Sequence, residues 1–176
     1  MKAIFIISLV TLFLGSCNDM EVPRPHDYIE LVTSEKNYLF NIKPENMNAN
    51  SYYLGNNQDQ LTIVMGSKEG IRCDIHLMQT DLLNRTFPFS ISNELLIEYG
   101  EIQMLDENQL INPSFDENDD VNFIGNSYTG VTIELISFEN NILTGRLTGP
   151  ISTKTGREKT IVLGEFKILI DIKYGN

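Results

Sequence analysis

The sequence is poor in histidine and cysteine, two residues on which many catalytic motifs depend, and it has no tryptophan. Among 176 residues there is no tryptophan, and there are only two histidines and two cysteines. A catalytic triad needs a serine held in a strained turn, and the chain has no G-x-S-x-G pattern. The sequence therefore predicts a domain without catalytic activity. A hydrolase that uses paired surface carboxylates is an alternative, although no spacing singles out two of the acids.

Basic residues are also scarce. The formal net charge is −11 at pH 7, and no lysine or arginine lies between Arg85 and Arg146. Nucleic acids and anionic lipid surfaces both require basic patches, so both are disfavoured as partners. Lys154, Arg157 and Lys159 are grouped around one predicted loop, where they could form a basic surface that steers a partner. The alternative interpretation is ordinary solubility charge.

The chain contains no apolar run that could cross a membrane. The longest, from Ala3 to Leu14, falls short of the about 20 residues that a membrane-spanning helix requires. It ends in Leu14-Gly15-Ser16-Cys17, which resembles a bacterial lipobox. The resemblance implies that residues 1–16 are a signal peptide and that Cys17 is acylated, for example with palmitate.

The lipobox divides the rest of the chain into a tether and one domain. Residues 17–26 are expected to be the lipidated cysteine and its tether, in which two prolines favour extended conformations and His26 is a solvated linker residue. Residues 27–176 are expected to form a single domain. Asn18 follows the lipidated cysteine in place of aspartate, which resembles sorting to the outer membrane. The domain is thus predicted to lie in the cell envelope, on either the periplasmic or the outer side.

The mature chain shows short apolar alternation bounded by polar turns, without a helical stripe. This pattern predicts an all-β domain: an antiparallel β-sandwich or, alternatively, a lipocalin-like β-barrel. An Asn-rich loop is predicted over 43–60, and a bulge or tight turn is predicted at Gly100, where the apolar parity changes. One long strand is predicted to place four residues on the core face, namely Phe166, Ile168, Ile170 and Ile172. Further strands are predicted over 28–33, 38–42, 61–65, 71–79, 95–105, 131–135 and 143–147.

Two residue types in these strands bear on chemistry. Cys73 would be the only thiol left after lipidation of Cys17, so no intramolecular disulfide is possible. It lies in phase with apolar residues and is predicted to be buried and inert. His76 shares the opposite strand face with Asp74 and Met78, which predicts an exposed polar face.

The last third of the chain carries a family resemblance. Its segments are Tyr128-Thr129-Gly130-Val131-Thr132-Ile133, Ile142-Leu143-Thr144-Gly145-Arg146-Leu147 and Gly164-Glu165-Phe166. Together with the lipobox, they are similar to small lipoproteins of unknown function from Bacteroidota. The resemblance implies a membrane-tethered all-β domain and carries over no catalytic residue.

A dense acidic segment is the one candidate metal site. Its oxygen ligands, of the kind that calcium prefers, are Asp116, Asn118, Asp119 and Asp120. The EF-hand register fails, because valine stands where that loop has its glycine. A solvated acidic loop is the alternative interpretation.

The sequence therefore predicts a lipid-anchored envelope protein that binds or scaffolds a partner, with no cofactor required. A binding module for calcium, a glycan or a lipophile is the alternative. Tyr52 and Tyr53 could stack on a glycan, but pinning of the Asn-rich loop to the sheet is the favoured interpretation.

Overall fold

The computed structural model describes residues 27–44, 50–54, 59–92, 99–106 and 122–174. They form twelve strands and one short 3-10 helix, Ser127–Thr129, so the all-β prediction is confirmed. The strands are β1 (Tyr28–Thr33), β2 (Asn37–Phe40), β3 (Ser51–Leu54), β4 (Gln60–Gly66), β5 (Ile71–Met78), β6 (Phe89–Ile91), β7 (Tyr99–Asp106), β8 (Phe123–Asn126), β9 (Thr132–Glu139), β10 (Ile142–Ser152), β11 (Glu158–Leu169) and β12 (Asp171–Tyr174).

The described strands belong to one hydrogen-bonded sheet. Its order is β12-β3-β4-β5-β7-β8-β10-β11-β1-β2, and β9 pairs with β10 and β6 beside this path. The pairing of β12 with β3 is parallel, which makes the sheet mixed. The sheet is curled into a half-barrel, and a bridge between Ile42 and Gly66 brings the chain after β2 against the end of β4. A sandwich has two separate sheets, whereas here one curled sheet encloses the core.

Local turn chemistry sets the hairpins. Asn140 and Asn141 connect β9 to β10, and both adopt left-handed backbone angles, with φ of 51° and 62°. A two-residue turn of this kind matches the twist of the strands that it joins. The turn between β4 and β5 ends at Gly70, whose φ is 75°. One turn lies between the predicted strands 131–135 and 143–147, and the other lies between the predicted strands 61–65 and 71–79.

The predicted long strand near residue 170 is two strands. Its apolar phase is confirmed, because Phe166, Ile168 and Ile170 are all buried. β11 nevertheless ends at Leu169, and the backbone N–H of Ile170 donates to the carbonyl of Asn141. The chain then leaves β10 and β1 and pairs β12 with β3. Alternation alone could not predict this change of partner, because it reports the buried face and not the neighbouring strand.

Two further predictions were wrong. Residues 43–60 do not form a loop throughout, because β3 lies within them and its Tyr52 is fully buried. Gly100 is neither a bulge nor a turn, since β5 and β7 pair without a register shift across it. A side chain at Gly100 would come within 2.9 Å of Ile133, so glycine is needed there for packing.

The interior of the curled sheet is filled with side chains. Leu143 and Leu147 of β10, with Phe166 and Ile168 of β11, belong to a continuous buried apolar cluster. Glycine makes room where two strands approach closely: a Cβ added at Gly145 would overlap the ring of Phe166. Such close packing makes the core sensitive to changes of a single methyl group. Because successive side chains of a strand point to opposite faces, the polar side chains of these strands project to the outside of the sheet.

Candidate functional site

A band of polar side chains covers the outer side of β4, β5, β7 and β8. These strands bury alternate residues such as Ile63, Ile75 and Ile102, so the residues between them point outward. The pairing then aligns the outward residues in rows across the sheet. We call this band the polar face, and its residues are Thr62, Arg72, Asp74, His76, Tyr99, Glu101, Gln103 and Asn126.

An ion pair occupies one part of the polar face. Arg72 Nε lies 2.9 Å from Asp74 Oδ1, and the two side chains are only 16% and 7% exposed. Asp74 stands opposite Val64 on β4 and Gln103 on β7. A charge pair so poorly solvated depends on its geometry, because water compensates little for a charge that is moved away from its partner there. The pair therefore adds no net charge to the polar face.

His76 lies in the middle of the next row. Its Nδ1 is 3.4 Å from the hydroxyl oxygen of Thr62, and the ring stands directly opposite Glu101. A hydroxyl, an imidazole and a carboxylate on adjacent strands have the composition of a catalytic triad. The three groups stand in one row across β4, β5 and β7.

Glu101 organises the residues beside His76. Its two carboxylate oxygens accept hydrogen bonds from the hydroxyl of Tyr99 and from the side-chain amide of Gln103. Burial and the neighbouring carboxylate raise the pKa of Tyr99 to about 12. Its phenol therefore remains a hydrogen-bond donor throughout the physiological pH range. These three half-buried side chains hold each other in place before any ligand arrives.

Tyr128 places an exposed aromatic ring at the end of this array. It lies in the 3-10 helix after β8, where the side chain of Asn126 accepts the N–H groups of Tyr128 and Thr129, each at 3.0 Å. Thr129 in turn accepts the N–H of Asn126 at 2.9 Å. The ring of Tyr128 is 5.6 Å from that of Tyr99, and the residue is 53% exposed. A doubly capped turn thus fixes an exposed ring beside the polar face.

Lys159 of the predicted basic loop is engaged within the fold. Lys159 is only 8% exposed, and its Nζ lies 2.9 Å from the Glu35 carboxylate and 3.0 Å from the Tyr38 hydroxyl. It also lies 4.3 Å from the ring centre of Phe123. Burial lowers the pKa of Lys159, but the hydrogen bonds to Glu35 and Tyr38 outweigh burial and leave it raised. This lysine joins the β1–β2 turn to β11.

Arg157 is also engaged within the fold, since its guanidinium lies 5.7 Å from the Phe123 ring centre. Of the three basic residues grouped in the sequence, Lys154 and Arg157 are exposed, whereas Lys159 is buried. The loop therefore presents two of its three positive charges to solvent, and the third serves the packing of the fold.

Tyr52 of the predicted tyrosine pair is part of the core. The hydroxyl of Tyr52 lies 3.0 Å from the Asp59 carboxylate and from the carbonyl of Thr80, and it accepts the N–H of Leu82 at 3.2 Å. Burial raises the pKa of Tyr52 well above its ordinary value. The prediction that this tyrosine pins its segment to the sheet agrees with these contacts, although the segment is a strand.

Cys73 is fully buried, and burial raises the pKa of its thiol. This agrees with an unreactive core cysteine. Several predicted site residues lie outside the described residues: Cys17, His26, Asp116, Asn118, Asp119 and Asp120. Within the described ranges, no three histidine, cysteine or acidic side chains are grouped in a way that could hold a metal ion. Those ranges likewise contain no helix of sufficient length and apolarity to cross a membrane.

Comparison with known proteins gives no family. No protein-family model, no curated protein and no solved structure matches the chain. The polar face is therefore interpreted from its own geometry. Sequence alternation placed Asp74 and His76 on one face, but it could not bring in Glu101 or Gln103. Their strand, β7, becomes the neighbour of β5 only because the intervening β6 pairs with β9.

Proposed function

We propose that the protein is a lipid-anchored domain of the cell envelope that binds a partner or ligand on the polar face and releases it unchanged. The observation that carries the binding role is the mutually hydrogen-bonded set of Tyr99, Glu101 and Gln103 beside the exposed Tyr128 ring. The lipobox-like stretch that ends in Cys17 supports the anchor. The outer membrane is its proposed location.

Ordered polar groups favour binding, because a ligand does not have to immobilise them at the moment of contact. Glu101 accepts two hydrogen bonds from its own strand, and the 3-10 helix that carries Tyr128 is capped at both ends. Side chains fixed in this way can present donors and acceptors in a constant pattern. Specificity then follows from the match between that pattern and the ligand.

The same geometry supports binding without turnover. Asp74 is in an ion pair with Arg72, and Glu101 is held by Tyr99 and Gln103. Glycoside hydrolysis needs two carboxyl groups placed on either side of the reacting bond, one of which donates a proton. Neither carboxyl of the polar face is held for that task, so the hydrolase alternative receives no support from these residues.

The anchor is tested by metabolic labelling with an alkyne analogue of palmitate in cells that express the full chain. We expect label and membrane association for the unaltered protein and for Cys73→Ser, and loss of both for Cys17→Ser. The two cysteines are matched, because each substitution removes one thiol. Equal labelling of Cys17→Ser and the unaltered protein would contradict the proposed anchor.

The binding role is tested separately by photo-crosslinking in the same cells. A photo-reactive phenylalanine analogue replaces Met78, which is exposed on β5 opposite Tyr99 at the edge of the polar face, or, as a control, Val162, which is exposed on β11. We expect crosslinked adducts from position 78 and none from position 162. Absence of adducts at 78, or equal adducts at both positions, would contradict binding on the polar face.

A further inference from the structure

The ligand class follows from how the groups on the polar face are combined. We infer that the polar face binds a neutral saccharide through the ring of Tyr128 and the hydrogen-bonding groups of Glu101, Gln103 and His76. This inference rests on the proposed binding function and names the chemistry of its ligand.

The ring of Tyr128 is a stacking platform rather than part of the core. It is 53% exposed, and its inner surface is supported by the ring of Tyr99 at 5.6 Å with an interplanar angle of 36°. The backbone beneath it is fixed by the Asn126 cap and by Gly130, whose φ is 100°. A rigid ring with a free outer surface can stack on the apolar C–H face of a sugar, because the electron-rich ring attracts those slightly positive hydrogens.

The adjoining polar groups suit hydroxyls. A carboxylate can accept several hydrogen bonds, and Glu101 accepts one from Tyr99 and one from Gln103. The amide of Gln103 and the imidazole of His76 each combine donor and acceptor capacity. Sugar hydroxyls also act as donor and acceptor at once, and neighbouring hydroxyls can engage both atoms of a planar carboxylate or amide. The polar face therefore matches a saccharide group by group.

The charge of the polar face further restricts the class of ligand. Arg72 neutralises Asp74, which leaves Glu101 as the carboxylate that a ligand would meet. This charge and the net charge of −11 on the whole chain disfavour phosphorylated, sulfated or acidic ligands. A purely apolar ligand would remove water from Glu101 and Gln103 without replacing its hydrogen bonds. A neutral, hydroxyl-rich ligand avoids both costs.

The polar face has room for a short oligosaccharide. From Tyr99 to Gln103 it follows four residues of β7, or about 13 Å, and from β4 to β7 it spans two strand spacings, or about 10 Å. This area accommodates about two sugar rings, one on Tyr128 and the next over the Glu101 and His76 row.

The test uses the full chain, purified in a detergent without a sugar headgroup, and titration calorimetry with maltohexaose, laminarihexaose, xylohexaose and chitohexaose. We expect at least one of these probes to bind. Tyr128→Ala and Gln103→Ala should each weaken binding at least about tenfold, a typical loss for a central contact residue. Tyr128→Phe should retain binding, because it keeps the ring.

Tyr174→Ala is the matched control, since Tyr174 is an exposed tyrosine on β12, outside the polar face. It should bind as well as the unaltered protein, and circular dichroism should show that every variant is folded. Binding that survives Tyr128→Ala would overturn the inference, as would the failure of all four probes.

The crosslinking experiment separates this inference from the proposed function. Protein adducts at position 78 together with failure of all four saccharides would contradict the saccharide inference and support the polar face as a binding surface. Neither adducts nor saccharide binding would remove both. Adducts that shrink on treatment with glycosidases would support both.

Discussion

The two outer surfaces of the curled sheet differ in how they hold their side chains. On the polar face, the Arg72–Asp74 pair is 16% and 7% exposed, with 2.9 Å between its atoms. On the outer side of β10 and β11, the Arg146–Glu165 pair is 53% and 33% exposed, with 3.5 Å between its atoms. The second surface also exposes apolar residues, among them Val162, Leu163 and Leu169 of β11.

This difference separates a candidate site from ordinary surface. Exposed ion pairs contribute little to stability, because water already solvates both partners and their side chains lose entropy when they pair. Half-buried polar groups must instead satisfy one another, as Tyr99, Glu101 and Gln103 do. Such mutual restraint fixes the direction of each group, and fixed direction is the property that recognition requires.

Both surfaces are supported by one core, so a substitution in that core should have the largest effect on the free energy of unfolding. Phe166→Ala should reduce the free energy of unfolding by about 3–5 kcal/mol, because it leaves a cavity where the ring packs over Gly145. Urea denaturation followed by circular dichroism measures the loss. Leu169→Ala, an exposed position on the same strand, should change it by less than about 0.5 kcal/mol. Equal effects would show that the assignment of core and surface on β11 is wrong.

The two ion pairs allow the comparison to be tested directly. Asp74→Ala should cost about 3 kcal/mol, because it leaves the Arg72 charge poorly solvated and without its partner. Glu165→Ala should cost no more than about 1 kcal/mol, since Arg146 remains in water. Chemical denaturation of both variants provides the measurement. A smaller loss for Asp74→Ala than for Glu165→Ala would remove the distinction between the two surfaces.

Calcium binding by the acidic segment would move the binding role away from the polar face. If that prediction holds, calcium at about a hundred times its dissociation constant should stabilise the protein by about 2.7 kcal/mol. The thermal melt should rise on calcium addition and fall back with EDTA, and Asp119→Ala with Asp120→Ala should abolish the shift. An unchanged melt in the unaltered protein would exclude the calcium site.

The smallest expected effect is a pH dependence at the Lys159 contact. The hydrogen bond from Lys159 lowers the pKa of Glu35, so its contribution is present above the ordinary value of 4.5 and is lost as the pH falls through the lowered value. The pKa of Lys159 is raised, so its contribution is present below 10.5 and is lost as the pH rises through the raised value.

The difference in melting temperature between the unaltered protein and Glu35→Gln should therefore be largest between these limits and shrink on either side. Glu158→Gln changes an exposed acid near the same loop and serves as the control. A difference that stays constant as the pH falls through the acidic limit would contradict the contact.

The fold class and several strands could be predicted from the sequence because alternation and turn residues act locally. Leu143 and Leu147 are buried as their spacing requires, and Asn140 and Asn141 form a turn between two of the predicted strands. β3 was missed because Ser51–Leu54 is short and is surrounded by asparagine-rich sequence. Its strand conformation depends on pairing with β4 and with the distant β12.

The polar face could be predicted only in part. The sequence places Asp74 and His76 on one side of β5, but a strand does not reveal which strand will lie beside it. Glu101 stands opposite His76 because β7 pairs with β5. The basic loop shows that sequence grouping does not reveal burial. The grouped charges suggested a basic surface, whereas Lys159 is buried against Glu35 and Tyr38.

The pairing of β12 with β3 has a consequence for how the chain folds. Contacts between these strands join residues 120 positions apart, and the backbone N–H of Thr160 reaches the Ser34 hydroxyl across 126 positions. Until residues 158–174 are available, β1 lacks β11 and β3 lacks β12, so the early strands present open edges to other chains. A chain of this kind folds slowly, since closing long loops precedes most of the stabilising contacts. Its vulnerable period is therefore the interval before its own C-terminal strands arrive.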